Sequence, residues 1–346
     1  MYEQIRANQI KSSLLIAGMA TLMVLLGFAI GEASGSGGGV VGVGIALIIW
    51  FIMVAVSTFG GSSMMLAMSQ AKPIEKADHP QLFNVVEEMS VASGLPMPKV
   101  YIIEDSAPNA FATGRSPETA AVAITRGLLD KLSRDELQGV MAHEMSHVRN
   151  RDIKFMTIAG IMLGVVVLLA DFYLRHLWWT GGRRRRSRSD QGQGGAQAIM
   201  LVIAIVLAIL APILARLLYF AISRKREYLA DASAAELTRY PEGLASALEK
   251  IAGDKDVLEV ANRATAPMYI VNPIKPTEER ARRFSGLAAT HPPLQERVKI
   301  LRSMGGAFSL GEYQSAWQKA TGKRSSLMSA RTIECGVRKG DGPTDS

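Results

Sequence analysis

Cysteine occurs once among the 346 residues, at Cys335. A disulfide scaffold is therefore excluded, and a working domain facing a reducing compartment fits. Charge is sparse as well: Asp, Glu, Lys and Arg make up 20% of the chain, against 48% hydrophobic residues. That apolar content excludes disorder of the whole chain. Acidic residues are the minority, 31 against 39 Lys and Arg, for a formal charge of +8. The basic excess includes RRRRSRSD at 183–190, but no fold with aromatic platforms surrounds it. Acidic lipid headgroups or solvent, and not nucleic acid, are its expected partners. No internal repeat is present.

What the chain does have is long uncharged runs, and its mean hydropathy is +0.15, unusual for a soluble protein. Residues 12–31 contain LLIAGMATLMVLLGFAI, and 33–71 contain VVGVGIALIIWFIMVAVSTF at 40–59. Both satisfy the roughly 20 residues that a spanning helix needs. Arg6 and Lys11 precede the first run, as in a signal peptide, but its apolar core is too long for one, and a retained anchor is expected. Two weaker candidates follow, 155–174, ending near Asp171, and 198–215, which contains Pro212. The Met residues, 17 in all, are expected to be adaptable apolar packing.

Composition divides the chain into an N-terminal anchor of two spans (1–71), a first polar region (72–154), a hydrophobic hairpin with a basic loop (155–222), a second polar region (223–304) and a flexible tail (305–346). In the first polar region, 79–95 has helical apolar spacing and ends near Gly94. KVYII (99–103), NAFAT (109–113) and AAVAIT (120–125) are short β-prone runs, predicting a small antiparallel sheet. Ser133-x-x-Glu136 is a capping box that opens the next helix.

That helix carries HEMSH, with His143 and His147 four residues apart and Glu144 between them. Side chains at i and i+4 share one helical face, so two imidazoles can bind one zinc ion while Glu144 serves as a proton acceptor for the attacking water. A catalytic zinc site wants three protein ligands and an open position. The extended HExxHxxGxxH form is absent, because Asn150 and Ile153 stand at its Gly and third-His places. A later carboxylate is needed. EYLAD (227–231) offers Glu227 as ligand and Asp231 as acceptor for the distal N–H of a ligating histidine. Glu236 and Glu278 compete, and a solvated helical face is equally compatible with the spacing.

VMAHEMSHVRNRD, a hydrophobic hairpin and then SRKREYLADASAAELT together resemble the HtpX-type bacterial membrane zinc metalloproteases. These are gluzincins related to the CAAX prenyl endopeptidases. PNAFATG (108–114) and HPPLQERV (291–298) extend the match, which runs from the N-terminus to about Arg302 and leaves the tail unexplained. The resemblance implies Glu227 as third zinc ligand with Asp231 as its partner. It implies Asn109 as a substrate-backbone contact and His291 as a donor to the oxyanion.

The expected fold class is an α+β membrane protein: a mainly helical, zincin-like catalytic region with a small antiparallel sheet, two firm transmembrane helices and two weaker ones. The expected activity is zinc-dependent endopeptidase, one Zn²⁺ per chain, with Glu144 as general base. By resemblance its substrates are misfolded or damaged membrane proteins, hydrolysed in quality control under stress. Lys11 and Arg6 before the first span place the N-terminus and the catalytic region in the cytosol, on a multi-pass protein of the cytoplasmic (inner) membrane. The arginine-rich loop after 174 then conflicts with the same charge rule, which predicts that the 155–222 hairpin spans incompletely. The alternative is a non-enzymatic membrane sensor or scaffold with a structural zinc site.

Overall fold

The computed structural model describes residues 2–35, 37–161, 224–261, 265–271, 292–306 and 308–328, with single positions at 164, 205, 273 and 333. The chain forms two compact units. One joins Met1–Gln9, Gly61–Thr157 and Phe220–Ser346; the other joins Ile10–Gly60 and Ile158–Tyr219.

The second unit contains most of α1 (Tyr2–Ser34) and α2 (Gly38–Phe59). With 22 residues, α2 is, among the described residues, the one helix long and apolar enough to cross a membrane. The first expected span lies within α1, whose apolar stretch Ile16–Glu32 is shorter than that requirement. The two helices approach backbone to backbone. A Cβ on Gly42 would lie 2.0 Å from the Gly27 carbonyl oxygen, and one on Gly31 would lie 2.2 Å from that of Gly38. Small residues at four-residue spacing on both partners permit this packing. The Glu32 carboxylate accepts from the Gly39 N–H at 3.0 Å, satisfying one of the orphan donors that open α2. Of the weaker expected spans, 155–161 of the first is described and helical, while the rest of it, apart from 164, and all of 198–215 but 205 lie outside the described residues, as does the basic loop between them.

After its N-terminal residues the first unit resumes with the short helix α3 (Gly61–Met68) and builds a four-stranded sheet. Its strands are β1 (Lys72–Pro73), β2 (Lys99–Ile103), β3 (Ala110–Thr113) and β4 (Ala121–Thr125), in the order β1-β2-β4-β3. β1 and β3 pair antiparallel with their neighbours, but β2 and β4 run parallel, from Lys99 opposite Ala121 to Ile103 opposite Thr125. The sheet is mixed, which corrects the antiparallel expectation. The reason is the loop after β2: it crosses the end of β4 before β3 turns back along β4's far side. Gly127 makes room for that crossing, since a Cβ there would sit 1.8 Å from the Ser106 carbonyl oxygen. All five residues of β4 are buried, as suits a central strand with a continuous apolar run.

Helices cover the sheet. α4 (Pro80–Ser93) stops at Gly94, whose φ of 68° is the left-handed cap that glycine adopts freely. After α5 (Arg126–Lys131), α6 (Arg134–Arg149) starts at the predicted Ser133–Glu136 capping box. Glu136 does more than cap: its carboxylate also accepts from Ser246 Oγ at 2.5 Å and Lys250 Nζ at 2.7 Å. Those two donors sit on the helix Pro241–Gly253, α9, so the bonds tie it to the start of α6. Helices α7 (152–161) and α8 (224–238) precede α9 (Pro241–Gly253), α10 (Leu294–Arg302) and α11 (Leu310–Thr321).

The region expected to be a flexible tail, 305–346, contains α11, and this is a second correction. Leu310, Tyr313 and Trp317 are buried in the core, and Trp317 meets Tyr228 edge-on with ring centroids 6.1 Å apart. Few apolar residues occur in this stretch, but they fall on one helical face. Trp317→Ala is expected to destabilise the protein by about 3–5 kcal/mol, the usual cost of emptying a buried aromatic site. Thermal unfolding in detergent reads it, and an unchanged midpoint would return 310–321 to a loose appendage.

Candidate metal centre

α6 is buried from Glu136 to Val148 with the single exception of Gln138, so its histidines face protein and not solvent. His143 and His147 present their Nε2 atoms to each other at 3.3 Å. Glu227, on α8, brings Oε2 within 3.7 Å of His143 Nε2 and Oε1 within 3.5 Å of His147 Nε2. All three side chains are buried, and among the described residues they form the one cluster able to hold a metal ion. Ligands about 2.0–2.1 Å from a tetrahedral ion stand roughly 3.3–3.4 Å apart. The observed edges fit that geometry with little rearrangement.

The distal nitrogens are held too. Asp231 Oδ1 lies 3.0 Å from His143 Nδ1, and Asp152 Oδ2 lies 3.1 Å from His147 Nδ1. Carboxylates on both Nδ1 atoms leave both Nε2 lone pairs for a cation. Asp231 in turn accepts from the wholly buried Arg297, through Nε at 2.8 Å and Nη2 at 2.7 Å. Burial alone raises the Asp231 carboxyl, but Arg297 and His143 outweigh it and hold it below the usual range. Burial likewise works against a charged His143, yet its bonds to Asp231 and Glu227 raise its imidazole to about 9. Such a pocket attracts positive charge: a proton without metal, a dication with it.

Glu144 lies 1% exposed. Desolvation lifts its carboxyl above the ordinary 4.5, against the pull of His143, His147 and the Ala112 backbone. A raised carboxyl beside a metal site suits a group that takes and returns a proton.

The remaining expected residues are distributed differently. Asn109 is buried at the start of β3, and its carboxamide is engaged by the backbone of Val271: Nδ2 donates to the carbonyl at 2.8 Å and Oδ1 accepts from the N–H at 3.4 Å. Glu236 stands 3.8 Å from Arg149 and takes no part in the cluster. Glu278 and His291 lie outside the described residues. Two residues that sequence reasoning did not single out belong to the site, Asp152 and Arg297. Asp152 sits in the HVRNRD run, but at five residues from His147 its helical phase is wrong. Arg297 sits in HPPLQERV, and nothing in that string foretells a buried charge, which the usual rule disfavours.

Two histidines and a glutamate able to hold a metal ion, with a further glutamate between the histidines, are the set that a metallopeptidase needs. Structural zinc sites are closed by four ligands, so this set speaks against the scaffold alternative. The description Peptidase family M48 matches residues 76–305. The chain is 43% identical to the "Protease HtpX homolog" of Dictyoglomus thermophilum over 309 residues, which is 89% of this chain and 96% of that one. It is 44% identical to the protein of that name from Listeria monocytogenes serotype 4a over 308 residues, 88% of this chain and all of the relative. Among solved structures, S. mikatae Ste24p aligns with a TM-score of 0.45 at 20% identity, over 87% of this chain and 67% of that one. That likeness is too low to define a fold. The chain belongs to peptidase family M48, and it is a membrane metalloprotease.

Two outcomes follow for the metal. Glu227→Ala is expected to lose bound metal, and Asp231→Ala to weaken binding about 10- to 100-fold; metal analysis of the purified variants decides, and full occupancy in Glu227→Ala would move the third ligand elsewhere. In metal-free protein, His143 titrates near 9 against an ordinary 6.5, so the folded state holds this proton more tightly than the unfolded chain. The stability it contributes is complete below about 6.5 and is lost as the pH rises through about 9. Thermal midpoints of chelator-treated protein across that range test the sign; a midpoint that climbs with pH would reverse it.

Proposed function

We propose that this metalloprotease is a zinc-dependent endopeptidase of the cytoplasmic membrane, multi-pass, with its catalytic region in the cytosol. It cuts misfolded or damaged membrane proteins in quality control. One observation carries the reaction: three donors spaced for a single tetrahedral ion, with a desolvated glutamate in the same helical turn. In this reading His143, His147 and Glu227 hold one Zn²⁺ per chain. When bound, zinc supplies a Lewis acid that polarises the scissile carbonyl and acidifies water toward a pKa of roughly 7. Glu144 accepts a proton from the attacking water and passes it to the leaving amine. His291 donates a hydrogen bond to the developing oxyanion.

The substrate lies extended along β3, the outer strand of the sheet, in the manner of strand addition. Asn109 holds the substrate backbone. Its carboxamide is engaged by the N–H and the carbonyl of Val271, so a substrate takes that place only by displacing Val271. The membrane location is supported by α2, and the quality-control role by relatives named as HtpX proteases.

Glu144→Gln is expected to keep its zinc and to lose about 10²- to 10⁴-fold in turnover, because only the proton acceptor is removed. Casein digestion by detergent-solubilised protein, alongside metal analysis, measures both. Zinc loss matching that of His143→Ala would make Glu144 a structural residue instead.

A further inference from the structure

We propose that Asp152 is a positioning residue for the reaction, acting through His147. Its Oδ2 lies 3.1 Å from His147 Nδ1, and the residue has no exposed surface. A neutral imidazole carries one N–H, and the partner of one nitrogen decides which form is present. A carboxylate at Nδ1 keeps the proton there and turns the lone pair of Nε2 toward Glu227 and His143. Asp231 does this for His143, and Asp152 does it for His147.

The backbone is shaped for this contact. On a continuous helix, a residue five positions after His147 lies about 140° round the axis and cannot reach back. α6 instead ends at Asn150, whose N–H donates to the Ser146 carbonyl, and Arg151 adopts a φ of 58°, left-handed and costly for a residue with a Cβ. That single turn folds Asp152 against His147. It also puts Asp152 at the first position of α7, where a helix N-terminus favours a negative charge.

The inference rests on His147 as a metal ligand, and the test separates the two. Wild type, Asp152→Asn, Asp152→Ala and His147→Ala are purified at full length in detergent. Zinc affinity is measured by chelator competition, and kcat and KM on a peptide. Asp152→Ala is expected to weaken zinc binding about 10- to 100-fold and to lower kcat with KM little changed. Asp152→Asn, whose amide oxygen still accepts the Nδ1–H without the charge, falls between it and wild type. Wild-type zinc affinity and kcat in both Asp152 variants, with zinc lost in His147→Ala, would overturn the inference alone. So would a lowered melting point of the metal-free variants at unchanged affinity, which marks a purely structural residue. Unaltered zinc binding in His147→Ala would defeat the ligand assignment and the inference together.

Discussion

The site depends on one buried ion pair, Arg297 with Asp231. Both side chains are fully buried, and a charge so placed is tolerable only when paired and hydrogen-bonded. Arg297 spends its planar fork accordingly: two donors on the Asp231 carboxylate and Nη1 on the Ile270 carbonyl at 3.3 Å. With Asp231 held as an anion, His143 has an acceptor for its Nδ1–H and its Nε2 is free. Remove the guanidinium and the order of events reverses: Asp231 gains a proton, His143 loses its acceptor, and the ligand geometry loosens. Arg297 also lies 3.7 Å from Glu227 Oε2, so it steadies a ligand directly.

Much of this was legible in the sequence where the information is local. The Ser133–Glu136 box, the stop at Gly94 and the three strand cores follow from neighbours within a few residues. The HEMSH and EYLAD pairs follow from helical phase. Strand direction was not legible, because parallel β2 and β4 depend on a crossing loop and on the space left by Gly127, both tertiary facts. α11 is masked by its composition: Leu310, Tyr313 and Trp317 share a face, but Ser, Gly and Lys surround them. Asp152 and Arg297 escaped for a common reason. One needs a left-handed backbone residue and the other a buried charge, and sequence rules treat both as exceptions.

The same logic organises α6. A carboxylate at its first turn, Glu136, is held by Ser246 and Lys250, and a carboxylate just past its end, Asp152, holds His147. The helix is thus fixed at both ends by side chains from outside it. A helix that must keep two nitrogens 3.3 Å apart without collapse gains from such anchorage, since small rotations about its axis would separate the ligands.

The outer strand β3 carries a consequence of a different kind. The unpaired edge of a sheet is a template for any passing chain. Here the Ala110 carbonyl accepts from the Ile270 N–H at 2.9 Å, and the Ala110 N–H donates to the Asn109 carboxamide at 3.1 Å. Neither group is left for a neighbouring molecule. Crowded in two dimensions, copies of this protein meet one another far more often than they would in bulk water, and an open edge would let them zip into cross-β stacks. By closing Ala110 with its own backbone, the chain leaves only the residues of β3 beyond it for an added strand, an edge long enough for a short substrate stretch and too short for stacking.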